Sequence, residues 1–207
     1  MIRRRTLLAA ALSMTAFPAL ALDRPLSPEE TQLVTEIGTH NSAIRTMVGR
    51  FLQIDQQGQR SEGTFYLERP NNISFRYNPP SRDEIVSQGR GFYVINRRDK
   101  TAYAYPQEQI PLRQFLQDDI DFLNKTNIVD VITSNGYMTI VLADDTPIGN
   151  VEVSLVFDTA TKDLKQWTLT EPSGAELTFS LFDVETGVEI PRAFFTFDIT
   201  WRAPDRG

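Results

Sequence analysis

The stretch Gly63 to Tyr77, reading Gly-Thr-Phe-Tyr-Leu-Glu-Arg-Pro-Asn-Asn-Ile-Ser-Phe-Arg-Tyr, leaves few folds open to this chain. As an extended strand, Gly63 to Arg69 places Phe65, Leu67 and Arg69 on one face and Thr64, Tyr66 and Glu68 on the other. Pro70 and the Asn71-Asn72 pair supply a turn. Ile73, Phe75 and Tyr77 form a second alternating row, which Pro79-Pro80 ends. The pattern predicts an antiparallel hairpin with one apolar face and a single cation at its rim.

The same punctuation recurs along most of the chain. Phe51, Gln53 and Asp55 alternate with Leu52 and Ile54 before the turn Gln56-Gln57-Gly58. Strands are predicted at Glu84 to Ser87, Phe92 to Asn96 and Thr101 to Tyr105, separated by Gln88-Gly89-Arg90-Gly91 and by Arg97 to Lys100. Ile128 to Thr133 and Tyr137 to Ala143 flank Ser134-Asn135-Gly136, a strong hairpin signal. Val151 to Phe157, Leu164 to Thr170 and Glu176 to Val184 follow, and Pro191 precedes a last strand through Phe194, Phe195, Phe197 and Ile199.

The period changes in two places. Ser27-Pro28-Glu29-Glu30 combines a cap, a first-turn proline and a capping-box carboxylate. Leu33, Ile37, Ile44, Met47 and Phe51 fall near one helical face, and a helix is predicted from Pro28 to about Met47, with Gly49 near its end and Phe51 already leading into a strand. Leu112, Phe115, Leu116, Ile120 and Leu123 predict a second helix between Pro111 and Leu123. Ten or eleven strands joined by successive hairpins make one antiparallel sheet wide enough to curl, with two or three helices over its concave side.

The N-terminus reads differently. Arg3, Arg4 and Arg5 precede an apolar run from Leu7 to about Phe17 and the small-residue site Ala19-Leu20-Ala21, the pattern of a cleaved signal peptide over residues 1–21. The run is shorter than the roughly 20 residues a spanning helix needs. Arg4-Arg5-Thr6-Leu7-Leu8 also resembles a twin-arginine signal, so the export route stays open. The expectation is one domain over residues 22–207, exported to the periplasm of a Gram-negative cell. The chain has no cysteine, which excludes disulfides, thiolate metal sites, cysteine nucleophiles and a lipidated N-terminal cysteine. Removing the three leader arginines takes the formal charge from −6 to −9, a balance unsuited to nucleic acid or to anionic membrane.

No catalytic constellation emerges, and neither a metal nor another cofactor is expected. His40 is the single histidine, placed mid-helix with no evident partner to orient it. Asp118, Asp119 and Asp121 read as the solvated face of the second helix. Gly89-Arg90-Gly91 reads as a turn, lacking the helix and further glycine of a phosphate loop. The apolar rows Phe65–Leu67 and Phe75–Tyr77, with one face of Phe92 to Ile95, fit either core packing or a binding surface. Arg69, a cation on an apolar face, needs hydrogen-bond acceptors from helix carbonyls or from a ligand headgroup.

Several segments together resemble the periplasmic lipoprotein carriers called LolA. They are Phe51-Leu52-Gln53, Gly63-Thr-Phe-Tyr-Leu-Glu-Arg69-Pro70, Ile85-Val86-Ser87-Gln88-Gly89 and Phe92-Tyr93-Val94, continuing through Leu164-Lys165-Gln166-Trp167 to Phe195-Thr196-Phe197. The resemblance implies an α+β fold, mainly antiparallel β: an incomplete, half-open barrel of about eleven strands with a helical lid. It also implies a non-enzymatic task, in which acylated lipoproteins are received from an inner-membrane ABC transporter, shielded in a cavity and passed to an outer-membrane lipoprotein receptor. The arginine before the motif proline, here Arg69, would latch the lid by hydrogen-bonding its carbonyls. The cavity would take Phe51, Phe65, Leu67, Phe75, Tyr77, Phe92, Leu112, Phe115 and Leu116, in a protein acting as a monomer. Tyr66 stands where the family often has tryptophan, and the sequence after Phe197 departs from the usual ending. The receptor of the same fold is itself a lipoprotein, which a chain without cysteine does not match. The alternative class is a periplasmic sensor of the same fold that binds lipid or protein and regulates a signalling partner.

Overall fold

The computed structural model describes residues 22, 24–146 and 149–197; the leader at 1–21, Ile199 and the tail from Arg202 lie outside them. The strands are β1 Thr46–Ile54, β2 Arg60–Glu68, β3 Asn72–Tyr77, β4 Asp83–Gln88, β5 Gly91–Asn96 and β6 Thr101–Pro106, then β7 Asn127–Ser134, β8 Tyr137–Thr146, β9 Gly149–Asp158, β10 Leu164–Thr170 and β11 Glu176–Thr186. They form one open sheet in the order β6-β5-β4-β3-β2-β1-β11-β10-β9-β8-β7, antiparallel throughout. Asn135 and Gly136 both take positive φ, as the tight β7–β8 hairpin requires.

The sheet curls strongly. β3 and β10 stand four strand spacings apart, roughly 19 Å in a flat sheet. Yet the rings of Phe75 on β3 and Trp167 on β10 lie 5.6 Å apart. The chain begins the sheet at its middle, steps outward to the β6 edge, crosses to the β7 edge through residues 107–126, and returns to close β11 on β1. That crossing and helix α1 (Pro28–Ala43) share one buried cluster with the inner face of the sheet. Val34 and Ile37 of α1, together with Phe115, Leu116, Ile120 and Phe122 of the crossing, face Met47, Phe51, Phe65, Leu67 and Phe75 there. Among the described residues no helix is long and apolar enough to cross a membrane.

Helix α1 starts as its sequence predicts. Ser27 accepts from Glu30 N at 3.1 Å, and the Glu30 carboxylate accepts from Ser27 N at 2.8 Å. It ends at Ala43, short of Met47, because Ile44 is already extended and Arg45 O accepts from Arg69 N at 2.8 Å. Met47 and Gly49 therefore belong to β1, where the β-branched Thr46 and Val48 suit a strand.

The second predicted helix does not form. Residues 107–125 hold two 3-10 turns, Gln107–Gln109 and Arg113–Leu116, and a single helical turn α2, Phe122–Lys125. The groups an α-helix would have paired are taken elsewhere. Phe115 O accepts from Arg69 Nε at 3.0 Å, Leu116 O accepts from Asn71 N at 2.9 Å, and Ile120 N donates to Ser42 Oγ at 2.8 Å. The acidic run is likewise no helix face: Asp118 pairs with Arg45, Asp119 with Lys125, and Asp121 caps α2.

The last predicted strand is also replaced. Arg192–Phe195 is a 3-10 turn lying against β3 and β4. The Phe194 ring stacks on Tyr66 at 4.1 Å, Phe197 meets Tyr93 at 4.4 Å, and Arg76 donates to the carbonyls of Ala193 and Phe194 at 3.2 Å. The 3-10 turn thus presents these carbonyls to a side chain in place of a neighbouring strand. Tyr66 and Tyr93 point away from the inner face, so this segment covers the back of the sheet.

Helix α1 passes so close to the crossing that a Cβ on Gly38 would sit 2.6 Å from Ile120 O. In an open helix Gly→Ala stabilises by about 1 kcal/mol. Here the sign reverses: Gly38→Ala is expected to destabilise by about 1–3 kcal/mol and to lower the midpoint of a thermal melt. A raised midpoint would contradict this approach.

Candidate functional site

The inner face is built from alternate residues of neighbouring strands. Phe51 on β1 lies opposite Gly63 and Leu181, Phe65 opposite Phe75, and Leu67 opposite Ile73. Phe51 meets Phe75 at 5.2 Å, Tyr77 at 5.0 Å and Phe179 at 5.9 Å, while Trp167 stacks on Phe179 at 4.7 Å. Edge-to-face and offset pairs of this kind add roughly 0.5–1.5 kcal/mol each beyond area burial. Two glycines let the rings settle: a Cβ on Gly63 would meet the Phe51 ring at 2.7 Å, and one on Gly49 the Phe65 ring at 2.7 Å. Tyr77 is half-buried and donates its hydroxyl to Gln53 Oε1, and its burial pushes the phenol pKa upward.

Arg69 ends the β2 row at 2% exposure. Its Nε donates to Phe115 O at 3.0 Å and its Nη1 to Ile44 O at 2.5 Å, so one guanidinium reaches both the end of α1 and the crossing. The cation also lies over the Phe115 ring, 4.6 Å from its centroid. Burial lowers its pKa to about 10, with Asp118 acting in the opposite sense, so it is still charged at neutral pH. Its Nη2 is buried and makes no hydrogen bond among the described residues.

Two further anchors hold the lid. Asn71, in the turn after Arg69 with a φ of 70°, binds Leu116 through its N–H and accepts from Gln117 Nε2 at 2.9 Å. Its carbonyl accepts from Gln107 Nε2 at 2.8 Å and from Ser87 Oγ at 3.0 Å. At the opposite side, the β9–β10 turn grips α1. The buried Asn41 donates to Lys162 O at 2.9 Å, Lys162 pairs with Glu36 at 3.1 Å, and His40 Nε2 lies 3.0 Å from Asp163 Oδ1. His40 thus has a partner that its sequence context does not reveal.

Of the residues singled out from sequence, Phe51, Phe65, Leu67, Phe75, Phe115 and Leu116 are buried in the main cluster, with Tyr77 and Leu112 packed at its margin. Phe92 stands apart. It is half-buried on the inner face of β5, opposite Ser87 and Tyr105, and lies outside the cluster. Trp167, Phe179 and Leu181 belong to the same face and were missed. Their alternation within β10 and β11 was readable, but only the closure of β11 on β1 brings them beside Phe51.

Comparison with known proteins identifies relatives of this chain. The family described as Outer membrane lipoprotein carrier protein LolA matches residues 42–198. An outer-membrane lipoprotein carrier protein of Alkalilimnicola ehrlichii is 30% identical over 96 residues, 44% of this chain and 42% of that protein. One from Methylococcus capsulatus is 34% identical over 83 residues, 37% of this chain and 40% of that protein. The chain thus spans about two fifths of the length of the curated relatives it matches. A LolA-superfamily protein from Nitrosomonas europaea superposes with a TM-score of 0.40 at 10% identity, over 79% of this chain and 97% of that one. With the family match running from the end of α1 past the last 3-10 turn, this chain belongs to the LolA family of outer-membrane lipoprotein carrier proteins.

Proposed function

We propose that this protein is a periplasmic carrier of lipoproteins. After loss of the leader at residues 1–21 it takes an acylated lipoprotein from an inner-membrane ABC transporter, shields the acyl chains against the inner face, and delivers them to an outer-membrane receptor. It works as a monomer and without chemistry of its own. The observation that carries this reading is Arg69, whose two hydrogen bonds fasten α1 and the crossing over an aromatic face.

An acyl chain of about sixteen carbons, at roughly 0.8 kcal/mol per methylene, costs on the order of 10 kcal/mol to leave in water. A diffusing carrier must bury it. In the closed state the rings of Phe51, Phe75, Trp167 and Phe179 occupy one another's space, so a chain enters only when the lid lifts and the rings part. Helix α1 and the crossing touch through Ser42 with Ile120 and through Arg45 with Asp118, while each has its own anchor on the sheet. The fastening at Arg69 is reversible: charge-assisted hydrogen bonds worth roughly 1.5–3 kcal/mol each are offset by the desolvation of a buried cation.

Arg69→Leu is expected to leave the lid open in the presence of cargo, so that the variant accumulates with bound lipoprotein which the wild type passes to the receptor. Normal transfer would remove the latch from this account. Recovery of the wild type without lipoprotein while the transporter is active would sink the carrier role itself. A separate measurement concerns the anchor at Asn71. Gln107→Leu deletes hydrogen bonds to Asn71 O and Ser87 Oγ, and should speed amide exchange over residues 107–117 about tenfold, the worth of one or two net hydrogen bonds. Protection in α1 beside the β9–β10 turn should stay unchanged, and equal loss in both segments would contradict separate anchoring.

A further inference from the structure

The charge of this chain is unevenly placed. Residues 72–106, which form β3 to β6, hold six Arg and Lys against three Asp and Glu. The rest of the chain beyond residue 21 holds twelve against twenty-four. Four of those cations, Arg82, Arg97, Arg98 and Lys100, gather at one tip of the sheet, where the β3–β4 connection meets the β5–β6 turn. Arg97 N donates to Arg82 O at 3.0 Å, Arg98 Nη2 donates to Pro80 O at 3.1 Å, and Pro79, Pro80, Ser81, Arg82 and Arg98 line one cleft.

The carboxylates nearby are mostly occupied. Glu84 is paired with Arg76 at 3.5 Å and with Arg97 at 2.6 Å, and Asp83 is hydrogen-bonded by Ser81 and Asn96. Arg82, Arg98 and Lys100 are exposed and have no carboxylate within ion-pair distance among the described residues. Exposed Asp99 offsets one of them. Beside this tip runs an uncovered part of the inner face: Tyr103 opposes Val94 and Tyr105 opposes Phe92, with the two tyrosines 58% and 46% exposed.

We propose that the cationic tip and the tyrosine strip form a docking surface for an anionic lipid bilayer. An acidic body with one basic end turns that end toward a negative surface. Tyrosine rests at headgroup level, its ring in the apolar boundary and its hydroxyl in water. An acidic protein partner would need the cations alone, whereas the bare phenol strip beside them favours lipid. Each cation close to an anionic surface contributes about a fivefold factor in partitioning, so a net excess of about two gives a contact that is reversible and sensitive to salt. Docked this way, the open margin of the inner face meets the bilayer. That last consequence rests on the carrier reading, while vesicle binding does not.

Sedimentation with vesicles tests the proposal. The cargo-free protein should partition onto phosphatidylcholine vesicles containing phosphatidylglycerol at low ionic strength, and less onto phosphatidylcholine alone. Salt should release it as the Debye length falls from about 30 Å at 0.01 M to about 3 Å at 1 M. Arg82→Gln and Arg98→Gln should each weaken partitioning about fivefold, and Tyr103→Ser should weaken it without altering the salt dependence. Lys125→Gln, in α2 beside the opposite edge strand β7, should leave it unchanged. No enrichment on the charged vesicles at low salt, even alongside capture by an acidic protein, overturns the proposal. So does a loss in Lys125→Gln equal to that in Arg98→Gln. Binding of a fluorescent acyl probe by the same preparations reads the carrier role separately.

Discussion

A guanidinium removed from water must find acceptors, and at Arg69 those acceptors are main-chain carbonyls of the lid. This requirement ties the sheet to both the end of α1 and the crossing. Phe115 O is free to receive Arg69 because the crossing is not an α-helix, and Ile44 O is free because α1 has just ended. The hydrogen bonds of Arg69 and the irregularity of the crossing are therefore the same fact seen from two sides. A regular helix over residues 111–123 would engage Phe115 O in its own ladder and leave the buried cation only the Ile44 carbonyl.

Topology accounts for why a lid exists at all. A sheet laid down from its centre outward to one edge leaves the chain at the wrong side to finish the fold. The remaining strands begin at the far edge, so residues 107–126 must traverse the mouth of the curl. Helix α1 precedes β1 and lies alongside that crossing, where Gly38 permits backbone approach and Ser42 supplies the hydrogen bond to Ile120 N. The closed face is thereby assembled from segments far apart in sequence.

Much of the sheet was legible in the sequence because strand alternation and turn chemistry are local. The Gly63–Tyr77 hairpin, the Asn135-Gly136 turn and the inward sides of Phe65, Leu67 and Phe75 needed no knowledge of distant neighbours. The helical period of Leu112, Phe115, Leu116 and Ile120 was also local, and it misled, since Phe115 and Leu116 reach the core from a 3-10 turn and Ile120 from irregular chain, their backbone groups bonded to Arg69, Asn71 and Ser42. The C-terminal segment failed for a similar reason: Phe194 and Phe195 are adjacent and cannot both face one side of a strand, and Arg76 takes their neighbouring carbonyls. Pairings such as His40 with Asp163 or Asn41 with Lys162 join residues more than a hundred positions apart, and no spacing rule reports them.

The segment on the back of the sheet has a consequence for the front. Val86, Ile95 and Ala102 point away from the inner cluster and are buried all the same, as is Phe195 of the 3-10 turn lying against β3 and β4. The arm formed by β3 to β6 therefore draws part of its cohesion from an external buttress. Its shape is thus held from both faces, by the inner cluster at β3 and by the 3-10 turn on the back.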